Sequence, residues 1–272
     1  MTTLIIGQNS NLSGALLTSR VATHALSSRE LTNNIALLDA YTTQPLNLIF
    51  NNFQTAVSLN DGAHLSEYIE NSIHITAKIL DYLRGTPIRK IIYTSSSSVY
   101  GNNVLCSERD ELKPISLHAA LKVSNEKLIE KYAQDRGIDY TIARIFNMYG
   151  GNDTFSIVGK IITSHLHNQE LTIINNGNAI RDFVHIDTVV EVYQRLLDAK
   201  NLPIINIGSA RGTSVRNLLD FLKNHGFHLQ TRNLTRDELK ISTADNTIMA
   251  DLLGKTEYSD VESYLLSRLS CS

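Results

Sequence analysis

A histidine and a lysine stand four residues apart in the stretch HAALK, residues 118–122, which follows a proline and has the pattern of a helix. Residues four apart on a helix share one face, so His118 and Lys122 are expected to lie side by side. An imidazole has an ordinary pKa of about 6.5 and can transfer protons near neutral pH. The charge on Lys122 is expected to lower the pKa of His118 and to favour the neutral ring. The spacing therefore predicts a pair of groups that could move protons.

Four consecutive serines, 95–98, follow directly on a strand predicted at 90–94. Open α/β sheets bind their ligands outside the carboxyl ends of the strands. The hydroxyl groups of this run, including those of Ser96 and Ser97, are therefore expected at a ligand-binding edge of the fold.

The elements that must position these groups alternate along the chain. Short apolar runs predict buried strands, and apolar residues at three- to four-residue steps predict helices. The predicted strands are 4–6, 46–50, 90–94, 140–143, 171–174 and 204–208, and the predicted helices are 12–21, 65–83, 118–134, 155–166, 214–223 and one that begins near 187. Such alternation is typical of a parallel sheet covered on both faces. The predicted fold class is therefore α/β, a doubly wound parallel sheet, Rossmann-like, with a looser C-terminal lobe.

Composition excludes several classes of function. The chain has 272 residues, 42% of them hydrophobic, and a formal net charge of -2 without a basic stripe, so nucleic acid is not an expected partner. It has no apolar stretch near the roughly 20 residues that span a bilayer, and its N-terminus reads as a first strand. Two cysteines make no disulfide framework, so a cytoplasmic location is expected. His165 and His167 face different ways on a helix, and no metal site is predicted.

Five segments in order carry a resemblance to a known family. They are YTSSSSVYG (93–101), LHAALKVSNE (117–126), ARIFNMYGG (143–151), NAIRDFVHIDTVV (178–190) and the weaker INIGSARGTSV (205–215). The chain resembles the extended short-chain dehydrogenase/reductase family, which comprises nucleotide-sugar epimerases, dehydratases and reductases. The resemblance implies a dinucleotide-binding domain at 1–150 and 183–208, and a substrate-binding lobe at 151–182 and 209–272.

The resemblance also implies roles for individual residues. Ser96 and Lys122 match catalytic positions, and Lys122 also lies near the cofactor ribose. The positions implied for the nucleotide sugar are Ser97, Asn147, Tyr149 and Arg181. An arginine fork matches phosphate oxygens, so Arg181 is expected near the diphosphate. A homodimer through the helices at 64–84 and 118–134 is implied as well.

The phosphate-binding turn departs from the family pattern G-x-x-G-x-x-G, because only Gly7 remains and serines stand at positions 10 and 13. The later glycines let the backbone approach a pyrophosphate, whereas a serine hydroxyl can cap a helix or contact phosphate. Two interpretations stay open: weakened dinucleotide binding, or a turn that holds no nucleotide. The residues implied for the cofactor in this part of the chain are Gly7, Asn9, Ser10, Asn11, Leu12 and Asn51.

The second strand also departs from the family pattern, because it lacks the acidic residue that would accept hydrogen bonds from the ribose hydroxyls. Ser27, Ser28 and Arg29 stand there instead. An arginine accommodates a 2′-phosphate, so NADP is favoured over NAD as the cofactor, although Arg29 is also compatible with a solvated loop cation. Phe53, in the run NNFQ at 51–54, could crowd the cofactor or belong to the core.

The third departure is His118, which occupies the place of the family's catalytic tyrosine. Either the imidazole serves the sugar oxygen, or His118 is a polar helix residue left after the tyrosine was lost. Three functions follow as hypotheses. The first is an NAD(P)-dependent reductase or epimerase acting on a nucleotide-diphosphate sugar in cell-surface polysaccharide synthesis, with a 4-keto-6-deoxy sugar as one candidate substrate. The second is a catalytically impaired binding protein, and the third is a dehydratase-like enzyme that uses other groups, such as Glu108 or Asp110.

Overall fold

The fold is described from a computed structural model, which places residues 2–52 and 65–270. Phe53 lies outside the described residues. Within these two ranges, no helix combines the length and the apolar character needed to cross a membrane.

The described chain forms strands and helices in alternation. The strands are β1 Thr2–Ile6, β2 His24–Leu26, β3 Leu46–Phe50, β4 Ile88–Ser96, β5 Asn103–Cys106, β6 Asp139–Ile145, β7 Asn147–Tyr149, β8 Leu171–Ile174, β9 Ile180–His185, β10 Ile204–Ile207, β11 Gly212–Ser214, β12 Thr231–Leu234 and β13 Ile241–Ala244. The helices are α1 Asn11–Thr18, α2 Ser28–Asn33, α3 Leu65–Ile69, α4 Ile75–Tyr82, α5 Leu117–Arg136, α6 Ile157–Leu166, α7 Ile186–Leu196, α8 Val215–Asn224, α9 Thr247–Leu253 and α10 Val261–Ser270.

The central sheet has six parallel strands in the order β10-β6-β4-β3-β1-β2. The chain leaves β1 toward β2 on one side and returns to β3 on the other side of β1. This reversal opens a crevice at the carboxyl ends of β1 and β3, where doubly wound folds bind their ligands. The predicted fold class is therefore confirmed.

Both faces of this sheet are buried, which explains why its strands are continuous apolar runs. Successive side chains of a strand point to opposite faces. In β1, Ile5 packs into the core beneath α1 and α7, whereas Leu4 and Ile6 pack into the core beneath α4 and α5. A single apolar triplet thus contributes to two cores.

The predicted elements of the central sheet are confirmed to within one or two residues, apart from α1, which ends at Thr18 rather than at 21. The predicted helix at 65–83 is interrupted by one π-helical turn, Glu70–His74, between α3 and α4. Such turns are short local insertions in an α-helix.

A second layer of strands lies beyond the central sheet. Here β11, β9, β13 and β5 lie in that order, β7 pairs with β9, and β8 pairs with β12. Helices α6, α8 and α10 pack on this layer around a separate apolar core. The predicted domain boundary at 182/183 falls inside β9, and β5 joins this layer although it lies within 1–150.

Candidate active site

One cleft of about 1810 Å³ opens at the carboxyl ends of the central strands. It brings together most of the residues singled out in the sequence, from seven separate stretches of chain. Those that line it are Gly7, Asn9, Ser10, Asn11, Leu12, Ser28, Arg29, Asn51, Ser96, His118, Lys122, Asn147 and Arg181. The phosphate turn, the strand-end serine, the start of α5 and the C-terminal lobe therefore face the same space.

Ser97 and Tyr149, which the resemblance implies for the nucleotide sugar, do not line the cleft, and their contact with a substrate stays a prediction. Ser97 is buried in the turn after β4, and Tyr149 is fully buried in the lobe. The Tyr149 hydroxyl donates to the Ser259 carbonyl at 2.9 Å, and its ring meets the rings of His185 and Tyr264, each at 5.1 Å. A buried phenol needs a partner, and Tyr149 finds one inside the protein.

The phosphate turn keeps the backbone shape that its first glycine allows. Gly7 has φ +112°, and a Cβ there would lie 2.2 Å from the Asn51 carbonyl oxygen. A side chain at this position would collide with the end of β3, so glycine is required. Gln8 and Asn11 line the cleft.

The two serines that replace the later glycines form a hydrogen-bonded cluster with Asn51. Ser10 caps α1 by accepting from the Ser13 amide at 3.0 Å, and the Ser13 hydroxyl donates to the Gly7 carbonyl at 2.7 Å. The Asn51 amide donates to the Ser10 and Ser13 hydroxyls at 2.7 and 2.8 Å. Side chains thus hold the turn together, and the start of α1 keeps the backbone N–H groups that favour anions. The residues present fit the pyrophosphate of a dinucleotide.

Asn11, the first residue of α1, joins the phosphate turn to the loop that enters the lobe. Its amide donates to the Gly150 carbonyl at 2.9 Å, and its oxygen accepts from the Asn152 amide at 3.0 Å. A Cβ at Gly151 would lie 2.9 Å from that oxygen, so the small residue permits the contact. The link fixes one wall of the cleft against the other.

The start of α5 places His118 and Lys122 on the cleft. Ser116 caps this helix by accepting from the Ala119 amide at 3.2 Å, so His118 lies in the first turn and Lys122 one turn later. The Lys122 ammonium donates to the Thr94 carbonyl at 2.7 Å and lies 5.0 Å from the Tyr93 ring centroid. Ser96 ends the same strand, β4, and its hydroxyl accepts from Ser98.

Burial shifts both titratable groups of this helix. It lowers the pKa of Lys122 to about 8, and the nearby Glu126 carboxylate partly offsets that shift. It also lowers the pKa of His118 to about 4, with a smaller contribution from the Lys122 charge. The predicted direction for His118 is confirmed, although burial rather than Lys122 is the larger cause. The imidazole is therefore neutral at neutral pH.

The lowered pKa makes His118 a source of acid sensitivity. The unfolded chain takes up a proton near the ordinary value of 6.5, whereas the folded chain does so only near 4. Stability contributed through this group therefore falls as pH drops from 6.5 toward 4, by on the order of 2 kcal/mol. We expect His118→Gln to flatten this part of the curve of unfolding free energy against pH, measured by urea denaturation at several pH values.

The matched control is His228→Gln, which changes an exposed histidine in a loop. It should leave the acid limb of the curve as steep as in the wild type. A His118→Gln curve that stays equally steep would show that other groups set the acid sensitivity.

A buried polar network that the sequence patterns did not predict lies behind the cleft. Glu126 pairs with Arg144 at 2.8 Å, and both side chains are 3% exposed. Glu126 also accepts from the Ser95 hydroxyl, and Arg144 donates to the Tyr100 hydroxyl at 2.8 Å. The sequence does contain a signal for this network: Arg144 is a charged residue inside the apolar strand at 139–145. A buried charge requires a partner, so a second buried polar group was to be expected nearby.

Glu108 and Asp110, the acid/base candidates of the dehydratase-like hypothesis, do not line the cleft. Glu108 accepts from the Asn206 backbone amide at 2.8 Å, and burial raises its pKa. Asp110 accepts from the Asn103 side chain at 2.7 Å and from the Ser107 amide at 3.0 Å. Both carboxyl groups instead hold the loop around β5.

The lobe contributes Asn147 and Arg181 to the cleft. The Asn147 amide donates to the Asp182 carbonyl at 3.1 Å. Arg181 pairs with Glu238 at 3.0 Å, and Glu238 also lines the cleft. On the opposite side, the exposed Arg29 lies at the start of α2 beside the half-buried Ser28.

Related proteins from other organisms match part of the chain in sequence. A protein named an uncharacterized UDP-glucose epimerase, YtcB, from Bacillus subtilis (strain 168) is 30% identical over 167 residues, 60% of this chain and 53% of the relative. A putative UDP-glucose 4-epimerase from Methanocaldococcus jannaschii is 34% identical over 156 residues, 55% of this chain and 51% of the relative. The chain thus spans about half the length of these relatives.

Solved structures match over nearly all of the chain. MoeE5 in complex with UDP-glucuronic acid and NAD has a TM-score of 0.88 at 20% identity, covering 99% of this chain and 98% of that one. UDP-glucuronic acid 4-epimerase from Bacillus cereus, in complex with UDP-glucuronic acid and NAD, has a TM-score of 0.84 at 22% identity, with the same two coverages. At these identities the likeness shows a shared fold.

The family follows from the sequence as a whole. Residues 8–208 match the model of the NAD dependent epimerase/dehydratase family, and this range contains Ser96, His118, Lys122, Arg181 and the phosphate turn except Gly7. Because the match takes in most of the chain, the resemblance is confirmed, and the protein belongs to the NAD dependent epimerase/dehydratase family.

Proposed function

We propose that this chain binds a nicotinamide dinucleotide beside a nucleoside-diphosphate sugar and acts on the sugar ring as a reductase or epimerase. The observation that carries the proposal is the single cleft lined by the phosphate turn, by Ser96, His118 and Lys122, and by Arg181. The names of the matched relatives support a nucleotide sugar as the substrate class.

The residues that would hold the dinucleotide lie just after β1 and β3, at the start of α1 and on α5. The turn at Gly7 and the start of α1 offer backbone N–H groups to a pyrophosphate, and Asn51 keeps Ser10 in place. Lys122 lines the same cleft, and the resemblance implies a position near the ribose for it. A bound nicotinamide would supply the acceptor or donor for a hydride.

Proton handling falls to the side chains at the start of α5 and the end of β4. Neutral His118 can donate a hydrogen bond to a sugar oxygen, or accept one, and the Ser96 hydroxyl can do the same. The best catalytic pKa lies near the operating pH. Because the pKa of Lys122 is about 8 and that of His118 about 4, Lys122 is the better matched of the two. We propose that His118 orients the sugar oxygen through a hydrogen bond. We propose that the Lys122 ammonium adjusts how readily that oxygen gains or loses a proton.

Two finer points belong to the same proposal. NADP is expected to bind more tightly than NAD, because Arg29 stands at the cleft where an acidic residue would accept ribose hydroxyls. A 4-keto-6-deoxy sugar, used in polysaccharide synthesis, is proposed as the substrate type on the strength of the resemblance.

A ligand titration tests the proposal directly. The purified chain would be titrated with NAD, NADP and a panel of sugar nucleotides, and the melting temperature recorded. A ligand present at 100 times its dissociation constant should stabilise the fold by about 2.7 kcal/mol. We expect shifts from a dinucleotide and from at least one sugar nucleotide. A sugar nucleotide that binds while no dinucleotide does would favour a binding protein instead.

The role of His118 separates the remaining hypotheses. His118→Ala should abolish turnover of the sugar nucleotide if the imidazole serves the oxygen, and should leave turnover nearly intact if the enzyme is dehydratase-like and dispenses with this position. His118→Tyr tests the same point, since a gain in rate would show that histidine is a weaker replacement. Dinucleotide affinity, measured by fluorescence, should stay close to that of the wild type in both variants.

A further inference from the structure

We propose that Asn11 is a positioning residue that couples the two halves of the cleft, so that a bound dinucleotide tightens the binding of a nucleoside diphosphate. The inference rests on the proposed function, because it concerns the two ligands of that cleft. Asn11 is half-buried and is the first residue of α1. Its backbone N–H is one of the four at the start of a helix that have no partner within the helix and can bind a pyrophosphate.

Two hydrogen bonds join the Asn11 side chain to the loop 150–153, which follows β7. The amide donates to the Gly150 carbonyl at 2.9 Å, and the oxygen accepts from the Asn152 backbone amide at 3.0 Å. Among the described residues, no other side chain of the phosphate turn, 7–13, forms a hydrogen bond with this loop. Asn11 is therefore the direct hydrogen-bonded connection through which a ligand held at α1 can act on the lobe.

The backbone of the loop is shaped for this contact. Gly150 and Gly151 have φ of +95° and +63°, in the region that favours glycine. A Cβ on Gly151 would lie 2.9 Å from the Asn11 oxygen, and a Cβ on Gly150 would lie 2.5 Å from Nε2 of His185, the N-cap of α7. The loop is thus held between Asn11 on one side and the His185 ring on the other.

The loop continues directly into the start of α6. The Asp153 carboxylate accepts from the Phe155 and Ser156 backbone amides, each at 2.9 Å, and Ser156 caps α6 by accepting from the Gly159 amide at 3.1 Å. A Cβ on Gly159 would lie 2.4 Å from the Asp153 carbonyl oxygen, so loop and helix are in close contact. Several side chains of α6 line the cleft. A displacement of Asn11 is therefore transmitted to the wall of the cleft that the lobe provides.

This link makes the binding of the two ligands interdependent. A dinucleotide that binds the N–H groups of α1 fixes Asn11, and the loop then holds α6 in one position. A nucleoside diphosphate that binds next meets a wall that is already ordered, so its binding loses less conformational entropy. Because coupling between two sites is reciprocal, the diphosphate tightens the dinucleotide by the same factor.

Isothermal titration calorimetry measures this coupling. UDP, dTDP and GDP would be titrated into the protein alone and into the protein saturated with NADP or NAD. These diphosphates carry no hexose that could contact the nicotinamide, so the coupling passes through the protein. We expect the dinucleotide to tighten the preferred diphosphate about 5- to 20-fold in the wild type, and less than about 2-fold in Asn11→Ala. Gly151→Ala, whose methyl group displaces the Asn11 oxygen, should also lose the coupling, and the double variant should lose no more than either single one.

Gln8→Ala is the matched control, since Gln8 lines the cleft in the same turn but, within the described chain, makes no hydrogen bond with the loop 150–153. It should keep the wild-type coupling factor whatever its effect on dinucleotide affinity. The inference is overturned if Asn11→Ala keeps that factor, even with weaker binding of each ligand alone, or if Gln8→Ala loses it equally. A wild type that binds both ligands without coupling also overturns it and leaves the proposed function standing. If the wild type fails to bind one of the two ligands, both proposals fall.

Discussion

Arg144→Met is expected to lower the free energy of unfolding by about 3–5 kcal/mol, because it leaves the buried Glu126 carboxylate without its charged partner. Arg144 and Glu126 are each 3% exposed, and Arg144 donates to both carboxylate oxygens of Glu126, at 2.8 and 3.2 Å. Methionine fills a similar volume but provides no donor. The Tyr100 hydroxyl loses a partner in the same step. Urea denaturation at neutral pH measures the change.

The control is Arg84→Met, which removes an ion pair of the same type from the surface. Arg84 lies 2.7 Å from Asp81, and the two side chains are 70% and 68% exposed. Such exposed pairs contribute little to stability, so this variant should unfold close to the wild type. A second variant, Arg144→Met with Glu126→Leu, should recover part of the loss, because no buried charge is left unpaired. Equal losses for Arg144→Met and Arg84→Met would contradict the assignment of a buried network.

Lys122→Met is expected to lower turnover in the proposed reaction by about 10²–10⁴-fold, the range typical of losing a proton-handling group. The substitution removes the ammonium beside His118 and its hydrogen bond to Thr94. It should also raise the pKa of His118, because the Lys122 charge is one cause of its low value. That pKa should stay below 6.5, since burial is the larger cause. Turnover assays and an NMR titration of the imidazole measure the two effects.

Lys127→Met, on the exposed side of the same helix, is the matched control, since Lys127 pairs with Glu130 at 2.7 Å. It should change neither turnover nor the titration of His118. Stability gives a third readout, because the folded chain releases the Lys122 proton near pH 8 and the unfolded chain near 10.5. The wild type should therefore gain stability as pH rises through that window, and Lys122→Met should not. A Lys122→Met protein with wild-type turnover and an unshifted His118 would refute its role.

Patterns within short stretches of sequence were enough to predict much of the fold. The apolar runs at 46–50 and 171–174 match β3 and β8 residue for residue. The helix face shared by His118 and Lys122 follows from their spacing, and both line the cleft. The strand Ile180–His185 was missed, because its charged residues interrupt the apolar alternation that predicts strands. Short strands of the second layer, such as β11, carry too few residues for any pattern.

The amino-acid sequence by itself determined the family, the doubly wound sheet and the residue types at the carboxyl ends of its strands, because these depend on periodicity and short motifs. Only the tertiary structure decided what each side chain contacts. Asn51 reaches Ser10 across 41 residues of sequence, and Arg181 meets Glu238 across 57. Tyr149 turns into the lobe, and burial holds His118 neutral. These outcomes depend on which distant segments pack together, and hence on desolvation and partner choice, which neighbouring residues along the chain do not specify.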